Sequence, residues 1–129
     1  MILADACSWK HRVIHRVVPD PEFMDLVSDG SIVTHPWIIG ELILGGLAPH
    51  SRRLICELEG VDPVTPERTI EFIERHRPKG IGWVDTHILV CAVDLGLSII
   101  SDDEGLYTNA TLHRVQRKMS GPAIVPRGR

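Results

Sequence analysis

Ile2-Leu3-Ala4-Asp5, near the start of the chain, is a short apolar run that ends in an acid. A continuous apolar run of this length predicts a strand buried on both faces, as in a parallel sheet. Leu97-Ser98-Ile99-Ile100 repeats the pattern and is followed by Ser101-Asp102-Asp103. Two such strands separated by helical segments predict an α/β domain with a central parallel sheet flanked by helices.

The segments between these strands carry recognisable helix signals. Thr34-His35-Pro36 and Thr65-Pro66-Glu67 each place a capping residue next to a proline, which is tolerated at the first helical position. The helix predicted for 36–47 is apolar nearly all round, so we expect it to be buried. The remaining predictions are helices over 8–15, 20–30, 51–58, 66–77 and 83–95, and an edge strand over 123–125.

The bulk composition fits one intracellular domain. The 129 residues match a single domain over 1–129, because domains usually hold roughly 100–200 residues. No apolar run approaches the roughly 18 residues of a membrane span, and the first apolar run is too short for a signal peptide. Three widely spaced cysteines without a CxxC pair disfavour a disulfide framework. We therefore expect a cytoplasmic protein with no membrane contact.

Four acids stand out by their positions in this pattern. Asp5 and Asp103 follow the two strands, and ligands of open parallel sheets bind at the carboxyl ends of strands. Glu41 interrupts an apolar helix, and Asp85 lies at the start of another. Because carboxylates are rarely buried without a partner, we expect the four side chains to converge. Alternatives stay open: Asp5 or Asp85 could cap helices, one of Asp102 and Asp103 could be a turn residue, and Glu41 could pair with a buried arginine.

Converging carboxylates repel one another unless a cation lies among them. Oxygen ligands alone suit Mg²⁺ or Mn²⁺ better than zinc. Such an ion can activate a water and neutralise charge on a phosphodiester. The four acids therefore predict metal-dependent hydrolysis of a phosphate ester.

Blocks of sequence around these acids resemble the VapC-like toxins of the PIN-domain family, in order over nearly the whole chain. They are Ile2-Leu3-Ala4-Asp5 with Trp9, Thr34-His35-Pro36-Trp37-Ile38-Ile39-Gly40-Glu41-Leu42-Ile43-Leu44-Gly45, and Gly80-Ile81-Gly82-Trp83-Val84-Asp85-Thr86-His87-Ile88-Leu89. The resemblance implies an α/β PIN-like domain that cleaves RNA as a Mg²⁺- or Mn²⁺-dependent endoribonuclease. It also implies a toxin that forms homodimers and is inhibited by a small cognate antitoxin protein.

The resemblance assigns the family's four acids to Asp5, Glu41, Asp85 and Asp103. Asp102, next to the last of these, could share its role. The chain departs from the family at Ala6 and Cys7, where small polar residues are usual, and at Lys10, where an apolar residue is usual. These departures keep open an alternative, a catalytically weakened PIN-like module that acts by binding protein or RNA. A phosphoacceptor receiver domain fits less well, because its acidic pair should follow the first strand.

RNA binding requires cations near the acids. Lys10, Arg12 and Arg16 form a basic group shortly after Asp5 and are the predicted RNA contacts. A second group comprises His113, Arg114, Arg117 and Lys118. Both groups are also compatible with ordinary solvated helix faces. Cys7, His11 and His15 have the spacing of a zinc-binding helix face, but one helix seldom supplies a complete zinc site.

Overall fold

A three-stranded parallel sheet forms the centre of the fold in the computed structural model, which describes residues 1–120. The first strand, β1 (Ile2–Ala4), lies between β2 (Ile32–Val33) and β3 (Ser98–Ile100). In this register Leu3 pairs with Val33 on one side and with Ile99 on the other. Because the strands are parallel, their carboxyl ends lie along one edge of the sheet. The predicted α/β class with a parallel sheet is confirmed.

Seven α-helices lie within the described part of the chain. The first continues directly into a π-helical turn over Lys10–Ile14. The helices are α1 (Ala6–Trp9), α2 (Pro21–Ser28), α3 (Pro36–Leu44), α4 (Pro49–Cys56), α5 (Pro66–His76), α6 (Trp83–Leu95) and α7 (Glu104–Leu112).

Helix α6 is the element that fills the core. Its residues from Thr86 to Ala92 are all buried, and Leu89, Val90 and Cys91 are fully inaccessible to solvent. Gly96 ends the helix in the left-handed region at φ 67°, which glycine adopts without steric cost. The helix predicted to start at Trp83 and stop at Gly96 is therefore confirmed at both ends.

Helix α3 differs from its prediction in length and burial. It ends at Leu44 rather than Leu47, because Gly45 follows it and Gly46 then adopts a positive φ of 87°. Only Ile38 and Leu42 are buried, whereas Leu44 is 90% exposed. The expectation of a helix buried all round was wrong, since one face of α3 lies at the surface.

Two elements were not predicted from the sequence. Strand β2 has only two residues, which is too short to show a period. Helix α7 begins with Glu104 and Gly105 and has little amphipathic pattern, but Asp103 caps it by accepting a hydrogen bond from the Leu106 N–H at 3.0 Å. The edge strand predicted over 123–125 lies outside the described residues. Within residues 1–120 no helix is both long and apolar enough to cross a membrane.

Candidate functional site

Four carboxylates from separate elements line one cavity of about 510 Å³. Asp5 follows β1, Asp103 follows β3, Glu41 lies on α3 and Asp85 lies in the first turn of α6. We call this cavity, lined by Asp5, Glu41, Asp85 and Asp103, the acid cavity. The structure therefore brings all four predicted acids to one place. The other lining residues are Ala6, Cys7, Lys10, His11 and His15.

Asp5 is the most deeply buried of the four acids, with 3% of its surface exposed. Its Oδ1 accepts a hydrogen bond from the Ser8 N–H at 2.8 Å, which caps α1, and its Oδ2 accepts one from the Ser101 hydroxyl at 2.7 Å. Burial raises the pKa of Asp5 to about 7, although these hydrogen bonds lower it. Asp5 thus caps a helix and also contributes a carboxylate to the acid cavity.

The Ser101 side chain connects the two acids that follow the strands. Its hydroxyl donates to Asp5 Oδ2 and accepts from the Asp103 N–H at 3.1 Å. The Asp103 carboxylate in turn caps α7. A serine at this position holds Asp5 and Asp103 in a fixed relation at the carboxyl edge of the sheet.

Glu41 and Asp85 lie close enough to influence one another. Burial raises the pKa of the Glu41 carboxyl, the charge of Asp85 raises it further, and the charge of Lys10 lowers it. Within residues 1–120 no arginine forms an ion pair with Glu41, so the described residues do not bear out the interpretation of a buried arginine pair. Asp85 is not a helix N-cap either, because Gly82 occupies that position of α6.

The Cys7 thiol lies in the negative electrostatic field of the acid cavity. Burial raises its pKa to about 12, and the charges of Asp5, Asp103, Asp102 and Asp85 contribute in the same direction. The thiol is therefore protonated at neutral pH. A protonated thiol among carboxylates is a poor ligand for zinc, whereas the carboxylate oxygens suit a hard divalent cation.

The acids share a cavity, but their side chains do not form a ready-made ligand shell. Among the residues described, no group of three or more His, Cys, Asp or Glu side chains is arranged so that it could hold a metal ion. The oxygen-rich donor set and the raised pKa of Asp5 are what fit a divalent cation. The cavity therefore offers candidate ligands on four elements rather than a preformed site.

Arg12 does not face the acid cavity, contrary to its prediction as an RNA contact. Its side chain is 2% exposed, and its Nε and Nη2 donate to the two oxygens of Asp102 at 2.8 and 2.9 Å. Its Nη1 donates to Asp20. Burial lowers the pKa of Arg12, but these carboxylates raise it more, so the group stays charged. Both Asp102 oxygens bind Arg12, and Asp102 is not among the residues that line the acid cavity, whereas Asp103 is.

The other members of the first basic group are distributed differently. Lys10 lines the acid cavity, as do His11 and His15, so the spacing of Cys7, His11 and His15 does place them on one surface. Arg16 is exposed and is not among the lining residues. Lys10 is thus the member of the group with a direct place beside the acids.

A cluster of three rings joins the helices that carry Glu41 and Asp85, and the sequence did not reveal it. His35 caps α3 through its Nδ1, which accepts from the Trp37 N–H at 3.0 Å. The Trp37 ring stacks on His87 of α6 with the ring centroids 4.1 Å apart. His87 Nδ1 lies 3.1 Å from the Thr69 hydroxyl of α5. Both histidines are fully buried, and burial lowers the pKa of each.

Comparisons with protein-family models and with characterised proteins find no match to this chain. We therefore infer its function from the acid cavity and from the sequence blocks that supply Asp5, Glu41 and Asp85. The catalytic and metal-binding roles of the four acids stay predictions.

Proposed function

We propose that the chain is a Mg²⁺- or Mn²⁺-dependent endoribonuclease with a PIN-like domain, the toxin component of a toxin–antitoxin pair. One observation carries the proposal. Four acids that are far apart in the sequence line a single cavity at the carboxyl edge of a parallel sheet. The resemblance of the surrounding sequence to VapC-like toxins supports the same reaction class.

The electrostatics of the acid cavity support cation binding. Burial deprives the ionised Asp5 carboxylate of solvation by water, and the charge of Asp85 repels it. A nearby divalent charge would offset both effects. The residues that would hold the ion are Asp5, Glu41, Asp85 and Asp103. When bound, such an ion supplies Lewis-acid activation of a water and neutralises charge that develops on a phosphodiester.

The chain's own groups then orient the ligands and the substrate. Ser101 fixes the Asp5 oxygen by donating a hydrogen bond to it. Lys10, close enough to lower the pKa of Glu41, contributes positive charge on the wall that a phosphate would approach. A volume of about 510 Å³ is in the range of pockets that accept a small ligand.

A small antitoxin and a second copy of the chain are the partners that the resemblance implies. Exposed apolar side chains suit such contacts. Val17 is fully exposed and Val18 is 69% exposed just after the π-helical turn, and Leu44 is 90% exposed at the end of α3. These residues are the proposed contact points for protein partners.

The direct test compares two Asp→Asn variants on the same helix. Asp85→Asn removes an acid from the acid cavity, whereas Asp94→Asn removes one that pairs with Arg68 elsewhere on α6. With Mn²⁺ and a labelled RNA, we expect Asp85→Asn to reduce cleavage by more than about 100-fold and Asp94→Asn to retain it. Equal cleavage by the wild type and Asp85→Asn would exclude this acid from the reaction.

The alternative function is binding without efficient cleavage. Ala6 supplies no hydroxyl beside the acids, the Cys7 thiol is protonated, and within residues 1–120 no ligand shell is preformed. In the same assay the alternative corresponds to a wild-type protein that binds RNA but cleaves no faster with Mn²⁺ than in EDTA.

A further inference from the structure

A second groove, of about 210 Å³, lies where the C-terminal ends of α5 and α7 meet. Arg77 and Lys79, in the loop after α5, supply its positive charges, and His76 and His113 supply two rings. Within the described part of the chain, no carboxylate lines it. We call this the basic groove. Of the second basic group identified in the sequence, His113 lines the basic groove.

The charge of the basic groove is opposite to that of the whole chain. The chain has 14 Lys and Arg against 17 Asp and Glu, a net charge of −3. The carboxyl ends of two helices each contribute roughly half a negative charge. The two cationic side chains outweigh this, so the groove retains about one positive charge before either histidine is protonated. A groove of this kind attracts an anion such as a phosphate.

The loop that carries these cations is held in place. Arg77 caps α5 in the left-handed region at φ 50°, and its N–H donates to Ile73 O at 2.8 Å. Asn109 of α7 is 3% exposed and donates its Nδ2 hydrogens to Lys79 O and to Gly105 O, both at 2.8 Å. A held loop loses less entropy on binding a ligand.

Two histidine rings line the groove and are packed against a phenylalanine. His76 and His113 pack edge to face with their centroids 4.9 Å apart, and Phe72 lies against both rings at 4.5 and 4.9 Å. Flat rings beside positive charges are the combination that proteins use to hold single-stranded nucleic acids.

Helix α7 and the residue before it contribute to both the acid cavity and the basic groove. Asp103 precedes the first residue of α7 and lines the acid cavity, whereas Thr108 and Asn109 of the same helix line the groove. At 1.5 Å per residue, Asp103 and Thr108 are separated by only about 7–8 Å along the helix axis. Trp83, 42% exposed, lies between Lys79 and Asp85 in the sequence. Asp103 of the acid cavity and Thr108 of the groove are thus separated by less than two turns of α7.

We propose that the basic groove binds the sugar–phosphate backbone of the single-stranded RNA that enters the acid cavity, a few nucleotides from the bond that is cleaved. The proposal rests on the proposed function for the identity of the strand. It moves the main RNA contacts away from Arg12 and Arg16 and onto Arg77 and Lys79.

The test measures RNA binding separately from cleavage. A fluorescein-labelled single-stranded RNA of mixed sequence is titrated in EDTA, by anisotropy, at several salt concentrations. The variant Arg77→Asn with Lys79→Gln removes two charges, and asparagine tolerates the left-handed conformation at position 77. The matched control, Arg52→Gln with Arg53→Gln, removes two exposed charges from α4. The rescue variant, Arg77→Lys with Lys79→Arg, keeps both charges.

We expect the groove variant to bind about 10-fold more weakly and its salt dependence to fall by about 1.4 in the logarithmic slope, since two phosphate contacts are lost. The control and rescue variants should bind like the wild type. Equal weakening by the groove and control variants, or an unchanged slope, would overturn the proposal even if the wild type cleaves RNA with Mn²⁺. Groove-dependent binding without Mn²⁺-dependent cleavage would support the groove and contradict the proposed nuclease activity.

Discussion

At the scale of single residues, Asp5 shows how function and stability oppose one another. Its carboxyl is buried, and its pKa of about 7 in the folded state lies above its ordinary value of 3.8. Between these pH values the folded state binds more protons than the unfolded state, so stability falls as pH rises from about 4 to about 7. A role for Asp5 as a metal ligand would explain why a carboxyl occupies a position where its ionisation lowers the stability of the fold.

Asp5→Asn should therefore stabilise the protein while removing RNA cleavage. In EDTA at pH 8 we expect this variant to be more stable than the wild type by roughly 2–4 kcal/mol, and the difference to shrink at pH 5. Thermal unfolding followed by circular dichroism measures it. Mn²⁺ should raise the unfolding temperature of the wild type more than that of the variant. A variant less stable than the wild type at pH 8 would contradict the raised pKa.

Other residues show what a sequence cannot assign. The sequence identified four acids as candidate ligands because an acid is conspicuous at a strand end or in an apolar helix. These acids are Asp5, Glu41, Asp85 and Asp103. The ion pair of Arg12 with Asp102 could not be identified in this way, because a basic residue in a basic stretch is expected to be exposed to solvent. Their ion pair joins positions 90 residues apart, and only the fold reveals it.

At the scale of elements, the rings of His35, Trp37 and His87 connect α3 to α6. His35 Nδ1 accepts a backbone hydrogen bond, so the neutral ring carries its proton on Nε2. Protonation of Nδ1 would abolish this cap and place a charge in the core. Burial, followed by the influence of His87, lowers the pKa of His35 to about 4.

The buried His35 should make the folded protein less stable in acid. Because the unfolded state takes up a proton on His35 near pH 6.5 and the folded state only near pH 4, stability should fall as pH decreases between these values. At pH 5 this residue should account for a loss of roughly 1–2 kcal/mol relative to pH 7. His35→Asn can still accept the Trp37 N–H but does not titrate, so its unfolding temperature should change less between pH 7 and pH 5. An equal change in both proteins would contradict this account.

Elements with strong end signals were the ones predicted well. Trp83–Leu95 ends at a left-handed glycine, and Pro66–His76 begins after a capping threonine, both of which are local features. Strand β2 was missed because pairing with β1 defines it, and helix α7 was missed because its sequence has little hydrophobic period after the Asp103 cap. The π-helical turn at Lys10–Ile14 likewise has no sequence signature, yet it places Lys10 and His11 beside the acid cavity.

At the scale of the whole molecule, the parallel topology explains why the acids meet. Strands β1 and β3 are neighbours that run in the same direction, so Asp5 and Asp103 must follow them at the same edge. Helices α3 and α6 then bring Glu41 and Asp85 to that edge. The convergence could be predicted from strand order and helix placement. The arrangement of the four side chains could not, since it depends on packing and on any bound ion.

Anomalous X-ray scattering from a crystal soaked in Mn²⁺ shows most directly whether the four acids bind a metal ion. We expect a manganese peak in the acid cavity, directly coordinated by at least two of the carboxylates of Asp5, Glu41, Asp85 and Asp103, and its loss in Asp85→Asn. A cavity without a manganese peak, at a Mn²⁺ concentration that saturates the solution protein, would contradict it.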